Sequence, residues 1–304
     1  MQLNRRNFLH YSSALTAATL LPGTRWFMSL MNAAGEMTLL RKNVGIYTER
    51  GGTMGWYIDE KENAIVVVDS QFPEQAANCI TLIREKLDRP IDYLINTHHH
   101  GDHSGGNIAF QEIAQKVLAH ANSKANQERV AKERGLEDSQ LYPDETYVDS
   151  WSKKIGGETV TLHYHGPAHT DGDSLIHFEN ANVVHMGDLL FNRRFPFIDR
   201  SAGASIENWI KLLAKARETF DRDTLFIFGH CREGLQVTGS LDDLKAKQQF
   251  FESLLTYVSR AIKNGATRQG LLEGAPQTIP GAPEWQGGGI ERPLGAAYDE
   301  LTNK

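Results

Sequence analysis

Three observations predict an α/β fold for this chain. Strand and helix patterns alternate, the second half repeats the β-rich then α/β order of the first, and the densest polar motifs fall at the ends of apolar strands. A four-layer αββα sandwich, two mixed β-sheets face to face with helices outside, accommodates that order without a long structureless loop in the core.

The elements follow in sequence. Val44–Tyr47, Met54–Ile58 and Ala64–Asp69 are rich in strand formers and separated by Gly and charged turns, so two or three antiparallel strands open the domain. Ala76, Ile80, Leu82, Ile83 and Leu87 recur at near-helical spacing and predict a helix from about Pro73 to Leu87. The run 90–96 predicts a strand, and Ile108 to Val117 a helix. A strand at 117–120 and a charged helix over 122–134 come next, then a polar surface excursion from Gly135 to Asp149. Strand patterns return at 159–165, 174–178 and 182–186, a helix at about 205–220, and an apolar strand at 224–228. A long helix from Ser240 to about Lys263, a Gly/Pro-rich span from Gly274 to Gly289 and a short helix near 296–301 complete the chain.

Between the strand at 90–96 and the following helix lies Thr97-His98-His99-His100-Gly101-Asp102-His103. Chains use His sparingly, so this cluster reads as a metal site, and its strand-to-helix loop can turn alternate side chains toward different metal positions. Three later segments, Gly166–Asp173 with His169, His185-Met186-Gly187-Asp188 and Phe228-Gly229-His230, resemble motifs of a known family. His99 reads as a neighbour of the ligands or a solvent-facing residue. His163, His165, His177 and His185, in strand patterns, read as hydrogen-bonded histidines. Thr170 and Asp171 are candidates to orient ligands, and Asn192, Arg193 and Arg194 to hold a substrate carboxylate.

The 304 residues carry a net charge of −6 and are 40% hydrophobic, which suits a globular chain with an ample core. The acidic balance and the lack of a long basic run argue against a nucleic-acid partner. Two cysteines, Cys79 and Cys231, exclude a disulfide framework and a Cys-rich zinc ribbon. Arg5-Arg6 before the mildly apolar run 11–21 resembles a twin-arginine export signal. This divides the chain into a signal at 1–34 and a domain at 35–304 with a C-terminal helical extension. It also implies a periplasmic or secreted protein, with a membrane as partner only if the segment stays uncleaved.

From about Asn43 to Phe250 these motifs, in this order, resemble those of metallo-β-lactamase-fold hydrolases. The resemblance implies that His98, His100 and His169 hold one metal and Asp102, His103 and His230 a second, with Asp188 bridging. Asp102 would also orient the nucleophile as a catalytic residue. Nitrogen and oxygen ligands imply two Zn2+ ions, with iron or manganese as alternatives. A metal pair roughly 3.5–4 Å apart shares a hydroxide that attacks the substrate. Asp188 at the bridging position, rather than cysteine, resembles glyoxalase II and lactonase-type members more than lactam-cleaving ones. The expected function is hydrolysis of a small-molecule ester, thioester, lactone or lactam. A phosphodiesterase, an iron-dependent sulfur oxygenase on the same fold, and a non-catalytic metal-binding module are the alternatives. The sequence carries no signal for oligomeric state.

Overall fold

The computed structural model describes residues 35–302. Arg5, Arg6 and the apolar run behind them, read above as an export signal, lie outside the described residues. Among the described residues no helix is long and apolar enough to cross a membrane.

Strands β1 (Glu36–Arg41), β2 (Val44–Thr48), β3 (Met54–Asp59) and β4 (Ala64–Val68) form an antiparallel meander. Helix α1 (Pro73–Lys86) crosses to β5 (Tyr93–Ile95), and β6 (Val117–His120) and β7 (Glu145–Tyr147) extend the sheet in parallel. The second sheet runs β15-β13-β11-β10-β9-β8. Its strands are β8 (Ser150–Ile155), β9 (Glu158–His163), β10 (Leu175–Phe178), β11 (Val183–His185), β13 (Leu225–Ile227) and β15 (Thr238–Gly239). Between them β12 (Phe191–Asn192) pairs with β14 (His230–Cys231) in a small ribbon.

Side-chain alternation along the strands builds the four layers. In β4, Ala64, Val66 and Val68 meet Leu162, Ile176, Phe178 and Ile227 of the facing sheet. Ile65 and Val67 point the other way, onto Ala76, Cys79, Ile80 and Ile83 of α1. The second sheet repeats the pattern. Leu175, Val184 and Phe226 face outward onto α4 (Ile206–Thr219) and α5 (Leu241–Lys263), through Trp209, Leu212, Phe250 and Phe251. Burial on both faces explains why the central strands read as unbroken apolar runs. Helices α6 (Arg268–Glu273) and α7 (Glu291–Thr302) add to this outer layer, where Leu271, Leu294 and Ala297 are buried. Within it the fully buried Lys247 of α5 points its amine at the rings of Phe251 and Trp285, 4.6 Å from each centroid.

The structure departs from the sequence expectations at four places. A fourth strand, β1, precedes the opening set. The helix expected from Ile108 to Val117 is replaced by a one-turn α2 (Gly101–Ser104) and a 3-10 turn over Asn107–Phe110. Gly105 and Gly106 press against backbone there: an added Cβ would lie 2.4 Å from the Gly101 carbonyl and 2.2 Å from that of Ser70. The Asn107 amide is meanwhile committed to paired hydrogen bonds with Asn96, at 2.8 and 3.0 Å. The polar excursion over 135–149 contains edge strand β7, and β8 follows at once on the other sheet; partly exposed edges of this kind show weak hydrophobic patterning. Finally, α6 forms ahead of the Gly/Pro-rich span, capped by Thr267 Oγ1 accepting from the Gly270 amide.

Candidate metal centre

The ligand-type side chains leave the C-terminal ends of strands in both sheets. His98, His100, Asp102 and His103 follow β5 and enter α2, with Ser104 Oγ donating to the His99 carbonyl at 2.9 Å to hold the turn. His169 sits in the loop after β9, which Asn208 of α4 pins by donating to the carbonyls of His165 and Pro167. Asp188 occupies a 3-10 turn after β11, entered through Gly187 at φ +51, where an added Cβ would meet the Thr97 side chain at 2.7 Å. His230 opens β14 beside Phe191.

Two groups form around Asp188. His98, His100 and His169 gather with Asp188, and Asp102, His103 and His230 gather alongside, the donor atoms of each group lying within 4.8 Å of one another. The Asp188 carboxylate stands between them. Oδ1 is 3.0 Å from His103 Nε2 and 3.4 Å from His230 Nε2, while Oδ2 is 3.4 Å from His169 Nε2 and 3.9 Å from His98 Nε2.

Hydrogen bonds on the far side of each ring fix the tautomers. His169 Nδ1 must donate to the Phe197 carbonyl, 2.8 Å away. His100 Nε2 faces Oδ2 of Asp199 at 2.9 Å, and His103 Nδ1 faces Oδ2 of Asp69 at 2.7 Å. Thr97 Oγ1 donates to Asp69 at 2.8 Å, so it accepts from His98 Nδ1 at 3.0 Å. In these tautomers the inward nitrogens of His98, His100 and His169 present lone pairs. His100 Nδ1 lies only 2.9 Å from His169 Nε2 and 3.0 Å from His98 Nε2. Lone pairs this close repel unless a cation sits among them, and Oδ1 of Asp188 is buried with no hydrogen-bond partner. The donor set fits divalent metal ions.

The two groups differ in proton affinity. Burial first, then the neighbouring His103, holds His98 well below the usual histidine range, and burial lowers His169 to about 3. Burial acts the same way on His103 and His230, but acids outweigh it. Asp188, Asp69 and Asp102 hold His103 well up, and Asp188 with Asp102 raises His230 to about 9. For Asp188, burial is opposed by His230 and His103, which keep its carboxyl well below the ordinary range.

Several sequence candidates are placed elsewhere. His99 is buried, with Nε2 3.7 Å from Asp199, and does not face solvent. Thr170 Oγ1 donates to Asp173, and Asp171 receives the Asn126 amide, so neither touches a ligand ring. Asn192 donates to the Gln236 carbonyl and Arg193 pairs with Asp243 at 3.0 Å, and neither is in the cleft wall. Cys231 Sγ points at the Leu235 carbonyl. Arg194 alone of that triplet lines the cleft, a cavity of about 330 Å3 with Asp188, His230 and Phe197 in its wall. Asp69 and Asp199, absent from the sequence-based site, prove to be the carboxylates behind His103 and His100. Asp69 ends a buried strand at φ +61, and a charged residue there is the one local signal available.

Residues 49–230 match the family model of the metallo-beta-lactamase superfamily. Over 214 residues the chain is 23% identical to metallo-beta-lactamase type 2 of Bacillus sp. (strain 170), covering 67% of this chain and 80% of that protein. It is 30% identical over 136 residues to hydroxyacylglutathione hydrolase of Pelagibacter ubique, covering 44% of this chain and 49%, about half, of that relative. Among solved structures, a metallo-beta-lactamase from Pontibacter korlensis superposes with a TM-score of 0.58 at 19% identity, over 72% of this chain and 99% of that one. The sec-alkyl sulfatase PisA1, solved as a double mutant, gives 0.68 at 14% identity, over 88% and 50%. At such identities the structural likeness speaks for the αββα fold. The family match takes in more than half of the chain, Asp188 and the six residues gathered around it: the chain belongs to the metallo-beta-lactamase superfamily.

Proposed function

We propose that this protein is a binuclear metal-dependent hydrolase of a small ester, thioester, lactone or lactam, with zinc as its metal. The observation that carries this reading is the Asp188 carboxylate, whose two oxygens face two separate groups of ligand atoms. His98, His100 and His169 would hold one ion, Asp102, His103 and His230 the other, and Asp188 would join them. Metal ions held there supply Lewis-acid polarisation of a carbonyl and a water of lowered pKa.

The chain's own residues do the rest. Asp102, about a third exposed, has Oδ2 3.2 Å from His230 Nε2 and opens to the cleft, where it accepts a hydrogen bond from an attacking water. Phe191 and Phe195 are buried in the cleft wall and limit water to the side of the substrate. Asp69 and Asp199 keep His103 and His100 in the ligating tautomer. A donor set without thiolate suits zinc, and accepts iron or manganese. The names of the relatives, a metallo-beta-lactamase and a hydroxyacylglutathione hydrolase, support a carbonyl substrate.

Elemental analysis of the purified protein, followed by assay on esters, thioesters, lactones, lactams and phosphodiesters, tests this reading. Two zinc ions with turnover of one carbonyl class is the expected result. A single iron with no second site would favour a sulfur oxygenase, turnover of phosphodiesters alone a phosphodiesterase, and metal without any turnover a non-catalytic binding module.

The chain is also proposed to be exported already folded, on the support of Arg5-Arg6 and the apolar run behind them. Replacing both arginines by Lys is expected to leave the protein in the cytoplasm. Unchanged fractionation removes the periplasmic assignment.

A further inference from the structure

Three arginines from separate parts of the chain line the cleft above Asp188 and His230: Arg134 at the end of α3 (Ala121–Arg134), Arg194 just after β12, and Arg292 in the first turn of α7. All three side chains are exposed, and none has an acidic partner within ion-pair distance among the described residues. Nearby guanidinium groups are neutralised: Arg193 pairs with Asp243 and Arg200 with Glu300. Three uncompensated cations around one cleft stand out on a chain of net charge −6.

With two divalent ions held at Asp188, the floor of the cleft would carry the same sign. Its carboxylates, Asp102 and Asp188, point into the ligand groups, and two carboxylates do not neutralise two divalent ions. Between floor and rim stands Phe197, 43% exposed, its ring 5.4 Å from that of His100. The chain following Phe195 is held close to Arg194 by the Gly287-Gly288-Gly289 loop, all three at positive φ. A Cβ on Gly288 would stand 3.3 Å from the Phe195 carbonyl and 3.6 Å from Arg194 Nε.

We infer that the cleft takes an amphipathic carbonyl compound whose far end carries an oxyanion, gripped by Arg194, Arg292 and Arg134, with its apolar middle against Phe197. Guanidinium groups are suited to this because they meet a planar oxyanion with two parallel N–H bonds. This assignment of substrate class rests on the hydrolase reading above and adds the charge requirement to it.

The test compares three 4-nitrophenyl esters of similar chain length, ending in methyl, carboxylate or sulfonate, on metal-loaded wild type and on the Arg194→Ala/Arg292→Ala double variant. Selectivity is read as a ratio of kcat/KM values within one preparation, so loss of folded protein cancels. Wild type is expected to prefer the anionic esters by about tenfold or more, chiefly through KM. The preference is expected to fall toward one in the double variant, to return in part with Arg194→Lys, and to shrink between about 50 mM and about 500 mM salt. The carboxylate and sulfonate arms separate a planar from a tetrahedral oxyanion. Equal kcat/KM for neutral and anionic esters, or a preference that survives the double variant, overturns the inference. If no ester is hydrolysed, the hydrolase reading falls by itself, and calorimetric titration of monomethyl glutarate against dimethyl glutarate decides the charge requirement. Binding of the monoanion that disappears in the double variant supports it, and equal binding of both compounds overturns it.

Discussion

Oδ2 of Asp199 lies 2.9 Å from Nε2 of His100, ninety-nine residues away in sequence, and this contact turns the His100 Nδ1 lone pair toward His98 and His169. Removing the carboxylate frees the ring to change tautomer. Asp199→Ala is therefore expected to weaken metal binding at that group by roughly 10- to 100-fold. Competition with a calibrated chelator measures it, and unchanged affinity would show that Asp199 does not orient His100.

Asp69 carries a heavier structural burden. Fully buried, it accepts from the Thr97 amide at 2.7 Å and from Thr97 Oγ1 at 2.8 Å, as well as facing His103. Asp69→Ala leaves the buried Thr97 amide and His103 Nδ1 without that acceptor, takes one of two partners from the Thr97 hydroxyl, and is expected to cost about 3 kcal/mol or more of folding stability. Urea unfolding of the metal-free protein is the measurement. A loss below about 1 kcal/mol would contradict this account of the β4 end.

The two groups should load metal with different pH dependence. His98 and His169 are held low, chiefly by burial, so their nitrogens are neutral around pH 7 and metal binding to these two rings displaces no proton. His230, raised to about 9 against the opposing effect of burial, is protonated in the metal-free protein at neutral pH. The sign follows directly. Protonated His230 adds stability to the metal-free fold that is complete below its ordinary 6.5 and lost as pH rises through about 9. Its proton competes with metal over the same window. Affinity of the second group is expected to climb by about one log unit per pH unit for each proton released as pH rises toward about 9, while His98 and His169 add no such dependence to the first group. Metal titrations in buffers of different ionisation enthalpy count the protons. Equal proton release from both groups would contradict the assignment.

Two glycines test the packing around the ligands. An added Cβ would lie 2.0 Å from Asp188 Oδ1 at Gly229 and 2.1 Å from His103 Cε1 at Gly52, whereas at Gly101 it would meet nothing within 4 Å. Gly229→Ala and Gly52→Ala are expected to lose at least about tenfold in affinity for the second metal, with Gly101→Ala close to wild type. Elemental analysis after dialysis, with circular dichroism as the folding control, separates them. Full metal content in Gly229→Ala would mean that Asp188 sits elsewhere.

Much of this architecture is legible in the sequence because the central strands are buried on both faces. Runs such as 64–68 and 224–228 leave little else for the chain to do there. His169, Asp188 and His230 are picked out by their resemblance to family motifs, whereas the cluster at 97–103 is legible for a chemical reason, since imidazoles cluster seldom without a ligand to share. The turn after the histidines is not, because helical spacing from Ile108 is overridden by two glycines packed onto carbonyls and an asparagine pair closed across the loop. Edge strands β7 and β8 are partly exposed and carry weak alternation. Asp69 and Asp199 act across thirty-four and ninety-nine residues, and a lone aspartate has no local pattern that names its partner. The Asn192-Arg193-Arg194 triplet shows the same limit: only the fold reveals that Arg193 is spent on Asp243 and that Arg194 shares its cleft with Arg134 and Arg292.

The central claim is that Asp188 joins two metal sites, and metal stoichiometry of Asp188→Ala beside wild type tests it most directly. A carboxylate between two cations is stabilised by both and fixes their spacing, so its loss should empty the second group while His98, His100 and His169 keep their ion. Elemental analysis is expected to give two divalent ions per chain in wild type and one in the variant, with turnover falling by about a hundredfold or more and the melting temperature little changed. A single ion in wild type, or two ions with near-normal turnover in Asp188→Ala, would contradict the account.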